Sequence, residues 1–261
     1  MAYDSLRYVD SVWSDNSDRY NFLFRGGEPL TTDPVTGLPV FDYAGLTAAI
    51  ANPVNPPPVP VPPPSEYFLV VINLEHPTEN VNLNAGINFF ADPANQALGQ
   101  LHLWDTNGTA QCYFQQPPEV REQMVATLNE WLPDPLIWRV ATIHNWLSNE
   151  SLLPIPQPQG QNLPIVIYVH CDGGCDRTSE MIGAYRLRHM PRTWTEADAW
   201  INMYNEHPCS KPMGCNNYMA TQWYAFWLNQ VKGQSLRGIG EDSGCNNAGK
   251  VQNLCSPLPV G

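Results

Sequence analysis

The stretch that most constrains this chain runs from Leu163 to Tyr185. It opens on an apolar, largely β-branched run, Leu163-Pro-Ile-Val-Ile-Tyr-Val-His170. It continues through Cys171-Asp-Gly-Gly-Cys-Asp-Arg-Thr178 and goes on as Ser179-Glu-Met-Ile-Gly-Ala-Tyr185. That order reads as a buried strand, a tight glycine-containing loop and the start of a helix. The N–H groups of such a loop can converge into an anion cradle, to which the helix adds the positive end of its dipole. The same groups stabilise a thiolate. Arg177, six residues after Cys171, can hold two phosphate oxygens in a bidentate fork. The physical expectation is a thiolate nucleophile in a site that binds a phosphate dianion.

The neighbours sharpen the pattern. His170 precedes the cysteine, Thr178 follows the arginine, and Gly173 and Gly174 sit in the loop. The run resembles the His-Cys-x5-Arg-Thr/Ser signature of the cysteine-dependent protein tyrosine phosphatase superfamily. Two upstream segments resemble small members of the same superfamily. Phe24-Arg25-Gly26-Gly27-Glu28-Pro29 occupies the place of a Tyr-Arg-Ser-Gly-x-Pro opening found in dual-specificity and phytase-like members. Val71-Ile72-Asn73-Leu74 matches a Val-Ile-Asn-Leu-Arg strand, with Glu75 in place of the basic residue. Arg25 either lines the site or ends a strand at the surface.

The resemblance spans about residues 20–230 and is strongest at 163–190. It implies an α/β fold, with a central, mostly parallel twisted sheet flanked by helices and the phosphatase P-loop between strand and helix. The expected organisation is a single phosphatase-like domain over 1–261, with a core at about 20–230, a Pro-rich loop at 52–64 and an irregular tail at 233–261. The implied activity is hydrolysis of phosphate monoesters through a phosphocysteine intermediate, without a cofactor or metal.

Composition narrows the partners. A formal charge of −12 argues against nucleic acid and against electrostatic membrane anchoring. No run approaches a membrane span, so no integral membrane segment is expected. Residues 1–10 lack the basic and apolar regions of a secretory signal; the cytoplasm is slightly favoured and secretion stays open. Seven cysteines show no zinc-type spacing. Cys209 with Cys215 and Cys245 with Cys255 are candidate disulfides in an oxidising compartment. Asn107-Gly-Thr and Asn149-Glu-Ser match the glycosylation pattern, a weak signal in an Asn-rich chain.

Taken in order, residues 1–20 read as a surface arm, and Tyr20–Arg25 as a strand. Phe41–Ala51 reads as a helix. Asn52–Pro64 is a polyproline stretch, read as a stiff connector in preference to an SH3-type ligand that would recruit a partner. Tyr67–Leu74 is the second strong strand. Gly86–Phe90 and Gln100–Trp104 are shorter strand candidates. Helices are expected over 118–132, 136–147, 179–190, 193–204 and 216–231.

Cysteine-based phosphate-ester hydrolysis needs a nucleophile, an oxyanion cradle, an acid for the leaving oxygen and a base for water. By resemblance Cys171 is the nucleophile, His170 orients the loop and Thr178 donates to the sulfur. Arg177 binds the phosphoryl oxygens, with the backbone of Asp172, Gly173, Gly174, Cys175 and Asp176 completing the cradle. Cys175 reads either as a small filler or as a redox partner for Cys171.

Three carboxylates compete for the acid. Asp105 follows a strand and precedes a helix, which is the family's element order, and it is favoured. Asp134, in Trp131-Leu-Pro-Asp-Pro135, looks like a Trp-Pro-Asp loop but follows a helix. Asp176, in Asp176-Arg177-Thr178, resembles the acid proposed in myotubularins and Sac-type phosphoinositide phosphatases. The favoured substrate is phosphotyrosine or a mixed phosphoprotein. A phosphoinositide or inositol phosphate is the alternative, although the loop lacks the lysines that often grip polyphosphorylated rings. The reading from another class is a pseudophosphatase that binds phosphorylated partners.

Overall fold

A computed structural model describes residues 3–78, 82–109, 111–113, 116–131, 135–190 and 213–236. The chain divides into two compact units: Met1–Asp105 with Thr142–Thr178, and Thr106–Ala141 with Ser179–Gly261.

The first unit is built on a five-stranded sheet. Its strands are β1 (Arg7–Ser14), β2 (Arg19–Gly26), β5 (Phe68–Asn73), β6 (Gly99–Leu103) and β7 (Ile165–His170), in the order β1-β2-β7-β5-β6. β1 pairs antiparallel with β2, and every other pairing is parallel. The fold is therefore the expected α/β one, with a mostly parallel sheet. Every residue of β5 and β7 is buried, as expected of parallel strands covered on both faces.

On one face, Phe22, Phe24, Leu69, Val71, Val166 and Tyr168 pack with Leu46 and Ile50 of helix α1 (Tyr43–Ala51). Phe89 and Phe90 of helix α2 (Leu83–Ala91) join that core, with Phe89 stacked on Tyr43 at 5.6 Å. On the other face lies the C-terminal half of a helix over Leu136–Ser148. There Asn21 Nδ2 donates to the Leu147 carbonyl at 2.8 Å, and Trp146 meets the His102 ring at 4.8 Å.

Two expectations are corrected here. Residues 7–14 are not a surface arm but strand β1, an edge strand bulged between Tyr8 and Asp10. Its residues are mostly half-exposed, so it carries no continuous apolar run to announce it. Residues 86–90 form a helix rather than a strand, because Leu83, Gly86, Ile87 and Phe90 recur at helical spacing. Gly86 sits where α2 crosses β6, so that a Cβ there would lie 3.4 Å from Leu101.

A small hairpin of β3 (Leu30–Thr32) and β4 (Pro39–Phe41) precedes α1. The Pro-rich segment is fastened to β1: Asn55 Oδ1 accepts from the Tyr8 N–H, and its Nδ2 donates to the Tyr8 carbonyl, both at 2.8 Å. The side chain thus pairs with an edge that would otherwise be open.

The second unit holds helices α3 (Pro118–Ala126), α4 (Leu128–Trp131), the first half of α5 (Leu136–Ser148), most of α6 (Asp176–His189) and α7 (Cys215–Gln230). The helix expected over 118–132 is broken at Thr127, the C-cap of α3. Trp223, the largest fully buried side chain among the described residues, donates its indole N–H to the Gln111 carbonyl at 2.7 Å. Tyr113 stacks on Phe226 at 3.5 Å. Asn217 Nδ2 donates to Glu180 Oε2 at 2.6 Å within the buried interior. The helix expected over 193–204 and nearly all of the tail lie outside the described residues.

Candidate active site

The loop 171–175 leaves the C-terminal end of β7 and enters α6 at Asp176. Cys171 is a buried free thiol, 6% exposed. The Thr178 hydroxyl donates to its Sγ at 3.2 Å. Arg177 lies half-buried in the first turn of α6.

His170 is buried, and burial pushes its pKa down to about 4 despite a hydrogen bond with the Cys171 backbone. It is therefore a neutral imidazole near pH 7. It can orient the loop but cannot lend Cys171 a positive charge.

The Gly26-Gly27 pair forms the seat of the loop. Glu28 N–H donates to the Asp172 carbonyl at 2.8 Å, and Tyr168 OH donates to the Gly27 carbonyl at 2.6 Å. Gly27 N–H in turn donates to Ser5 Oγ at 2.8 Å. Gly174 adopts φ +69, where a Cβ would lie 2.4 Å from the Gly26 carbonyl carbon and oxygen. Only glycine satisfies both the left-handed backbone and that approach.

Arg25 is fully buried, and its Nη2 donates to the Gly174 carbonyl at 2.7 Å. It neither lies at the surface nor lines the open face. It ties β2 to the loop, with its charge against the Gly174 carbonyl.

Asp172 and Gly173 are exposed, whereas Gly174 and Cys175 are buried. Cys175 is disulfide-bonded while Cys171 is free. It is thus neither a simple filler nor the partner of Cys171. Cys112 is also disulfide-bonded. The side chains of Cys209, Cys215, Cys245 and Cys255 lie outside the described residues.

Of the three acid candidates, Asp134 lies outside the described residues. Asp176 is the first residue of α6, next to Arg177. Asp105 follows β6, whose last residue Leu103 is paired with Asn73, and Asn73 is paired with His170. It therefore leaves the same end of the sheet as Cys171, two strands away, about 10 Å between strand axes. Its side chain is 35% exposed and its Oδ2 lies 3.7 Å from Nε2 of His76.

His76 was invisible to motif reading. The one signal was its place just past the C-terminal end of a strand flanking the nucleophile's own. Glu75 is buried just past the end of β5, its N–H donating to Asn73 Oδ1 at 2.8 Å.

Among the described residues no cluster of His, Cys, Asp or Glu is placed to hold a metal ion. None of the helices among them is long and apolar enough to cross a membrane.

No family model matches the chain, and no curated protein matches it. Among solved structures it is similar to a crystal structure of PTPMT1 in complex with PI(5)P, at 13% identity and a TM-score of 0.41. That match covers 87% of this chain and 99% of the other. A second crystal structure of PTPMT1 is similar at 13% identity and a TM-score of 0.40, covering 81% and 95%.

Proposed function

We propose that this chain is a cysteine-dependent phosphatase that cleaves phosphate monoesters through a phosphocysteine intermediate. The observation that carries the reading is the 3.2 Å contact from Thr178 Oγ1 to the free thiol of Cys171, at the mouth of a glycine-shaped loop on a helix N-terminus. A buried structural cysteine needs no hydroxyl aimed at its sulfur. A thiolate that must leave phosphorus in a second step gains from one.

In the proposed reaction the Cys171 thiolate attacks phosphorus. The loop N–H groups of residues 172–177 and the Arg177 guanidinium hold the equatorial oxygens. Asp105 protonates the departing oxygen, which leaves as an alcohol or phenol. The resulting carboxylate takes a proton from water as that water attacks the phosphocysteine. Inorganic phosphate and the thiolate are released, the latter steadied by Thr178. Asp134 and Asp176 remain competing assignments for the acid.

The substrate we favour is phosphotyrosine or a mixed phosphoprotein. Asp172 is exposed at the loop and the loop has no lysine, so a second or third phosphate would meet like charge. The disulfides of Cys112 and Cys175 favour an oxidising compartment over the cytoplasm.

The test is para-nitrophenyl phosphate hydrolysis in EDTA, followed by a comparison of phosphotyrosyl peptides with phosphoinositides. Turnover that needs Cys171 and ignores EDTA supports the reading. Stoichiometric binding of phosphopeptide without turnover supports the pseudophosphatase instead.

A further inference from the structure

We propose that His76 is the positioning residue for Asp105, held in one tautomer by Thr78 so that its Nε2–H faces the Asp105 carboxylate. The inference rests on the phosphatase reading above, with Asp105 as the acid. His76 stands three residues beyond the end of β5, the strand between β7, which carries Cys171, and β6, which carries Asp105.

Its Nδ1 lies 3.1 Å from the backbone N of Thr78 and 2.7 Å from Thr78 Oγ1. A backbone N–H can only donate, so Nδ1 must be the acceptor. The single proton of the neutral ring then sits on Nε2. That atom is the one that faces Asp105, with Nε2 to Oδ2 at 3.7 Å. The separation is longer than a hydrogen bond. Both side chains are more than one-third exposed, so a small rotation of either closes it.

Asp105 is the second residue past β6, where Trp104 N–H donates to the Asn73 carbonyl at 2.8 Å. His76 supplies a second fixed point from the neighbouring strand's extension. A donor on one carboxylate oxygen fixes the plane of the group and directs its other oxygen. It also stabilises the carboxylate formed once the proton has gone to the leaving group. His76 itself need not touch substrate.

The decisive readout is leaving-group dependence, which a purely structural residue does not move. His76→Ala is expected to lower kcat/KM about tenfold for phenyl phosphate, whose leaving group needs a proton. It is expected to lower kcat/KM much less for para-nitrophenyl phosphate, which leaves unaided. His76→Gln keeps a side-chain N–H donor and should recover most of the loss. In an Asp105→Asn background, His76→Ala should add nothing further. A thermal scan of each variant shows that it is folded.

Equal losses on the two esters, no loss at all, or a full loss that persists in Asp105→Asn each overturn the assignment while leaving Cys171 chemistry intact. Turnover that survives Cys171→Ser overturns the phosphatase reading and this inference with it.

Discussion

The Arg25 guanidinium donates to the Gly174 carbonyl at 2.7 Å from the fully buried interior behind the loop. The contact links the upstream Arg-Gly-Gly segment to the cradle physically, where sequence order had linked them only by resemblance. Replacing Arg25 with Met keeps bulk and removes the donor. Stability should fall by about 2–3 kcal/mol, the range for a lost hydrogen bond to a charged group, read from urea midpoints. Phosphatase activity should fall further than stability alone accounts for.

Gly174→Ala tests the seat of the loop. The added Cβ would meet Gly26 backbone at 2.4 Å, with φ at +69. Gly233 is the control: it has a similar φ of +68 with open space around a Cβ. Gly233→Ala should cost about 1 kcal/mol from backbone strain alone. Gly174→Ala should cost visibly more, and should abolish phosphate-dependent stabilisation in a thermal shift assay.

Thr178→Val removes the hydroxyl from Cys171 with little change in shape. A hydrogen bond to a charged group is worth about 1.5–3 kcal/mol, so breakdown of the intermediate should slow about tenfold or more. Pre-steady-state kinetics should then show a burst of phenol followed by slow turnover. Thr178→Ser should behave like wild type.

Acid should destabilise the fold through His170. Its folded pKa is depressed from the ordinary 6.5 to about 4 by burial. Between those values the unfolded chain takes up a proton that the folded chain refuses. Stability therefore falls as pH drops from 6.5 toward 4, at up to about 1.4 kcal/mol per unit for this one group. Urea titrations at pH 7 and pH 5 give the slope, and His170→Asn should make it shallower.

The disulfide at Cys175 makes the fold sensitive to reductant even though the neighbouring Cys171 is a free thiol. Reductant should lower stability by about 2–4 kcal/mol, and Cys175→Ser should reproduce that disulfide's share of the loss without reductant. Identical midpoints for wild type and Cys175→Ser would show that the disulfide contributes nothing to this loop.

The sheet was legible where strands are buried on both faces. β5 and β7 carry unbroken apolar runs, and β2 carries Phe22, Leu23 and Phe24 between turn signals. β1 was not legible, because an edge strand with half-exposed residues has no such run. Residues 86–90 read as a strand because Ile87, Phe89 and Phe90 are strand-formers locally; the helical spacing shows only when the window reaches back to Leu83, and Phe89 then packs on Phe41 and Tyr43.

At the site, Cys171, Thr178 and the glycines could be named from spacing and neighbours. The direction of Arg25 could not, since a strand-end arginine faces the surface or the interior according to what packs above it. His76 was missed because its role depends on two strand ends meeting, a relation between residues 29 positions apart that no local pattern carries.

If Cys171 carries the phosphoryl group, the adduct can be trapped. Wild type mixed with para-nitrophenyl phosphate in EDTA, quenched in acid within the first turnover and digested, should show a phosphate adduct on Cys171 by mass spectrometry. Cys171→Ser should show neither adduct nor turnover. An unmodified Cys171 under turnover, or undiminished hydrolysis by Cys171→Ser, would show that the phosphoryl group does not pass through Cys171.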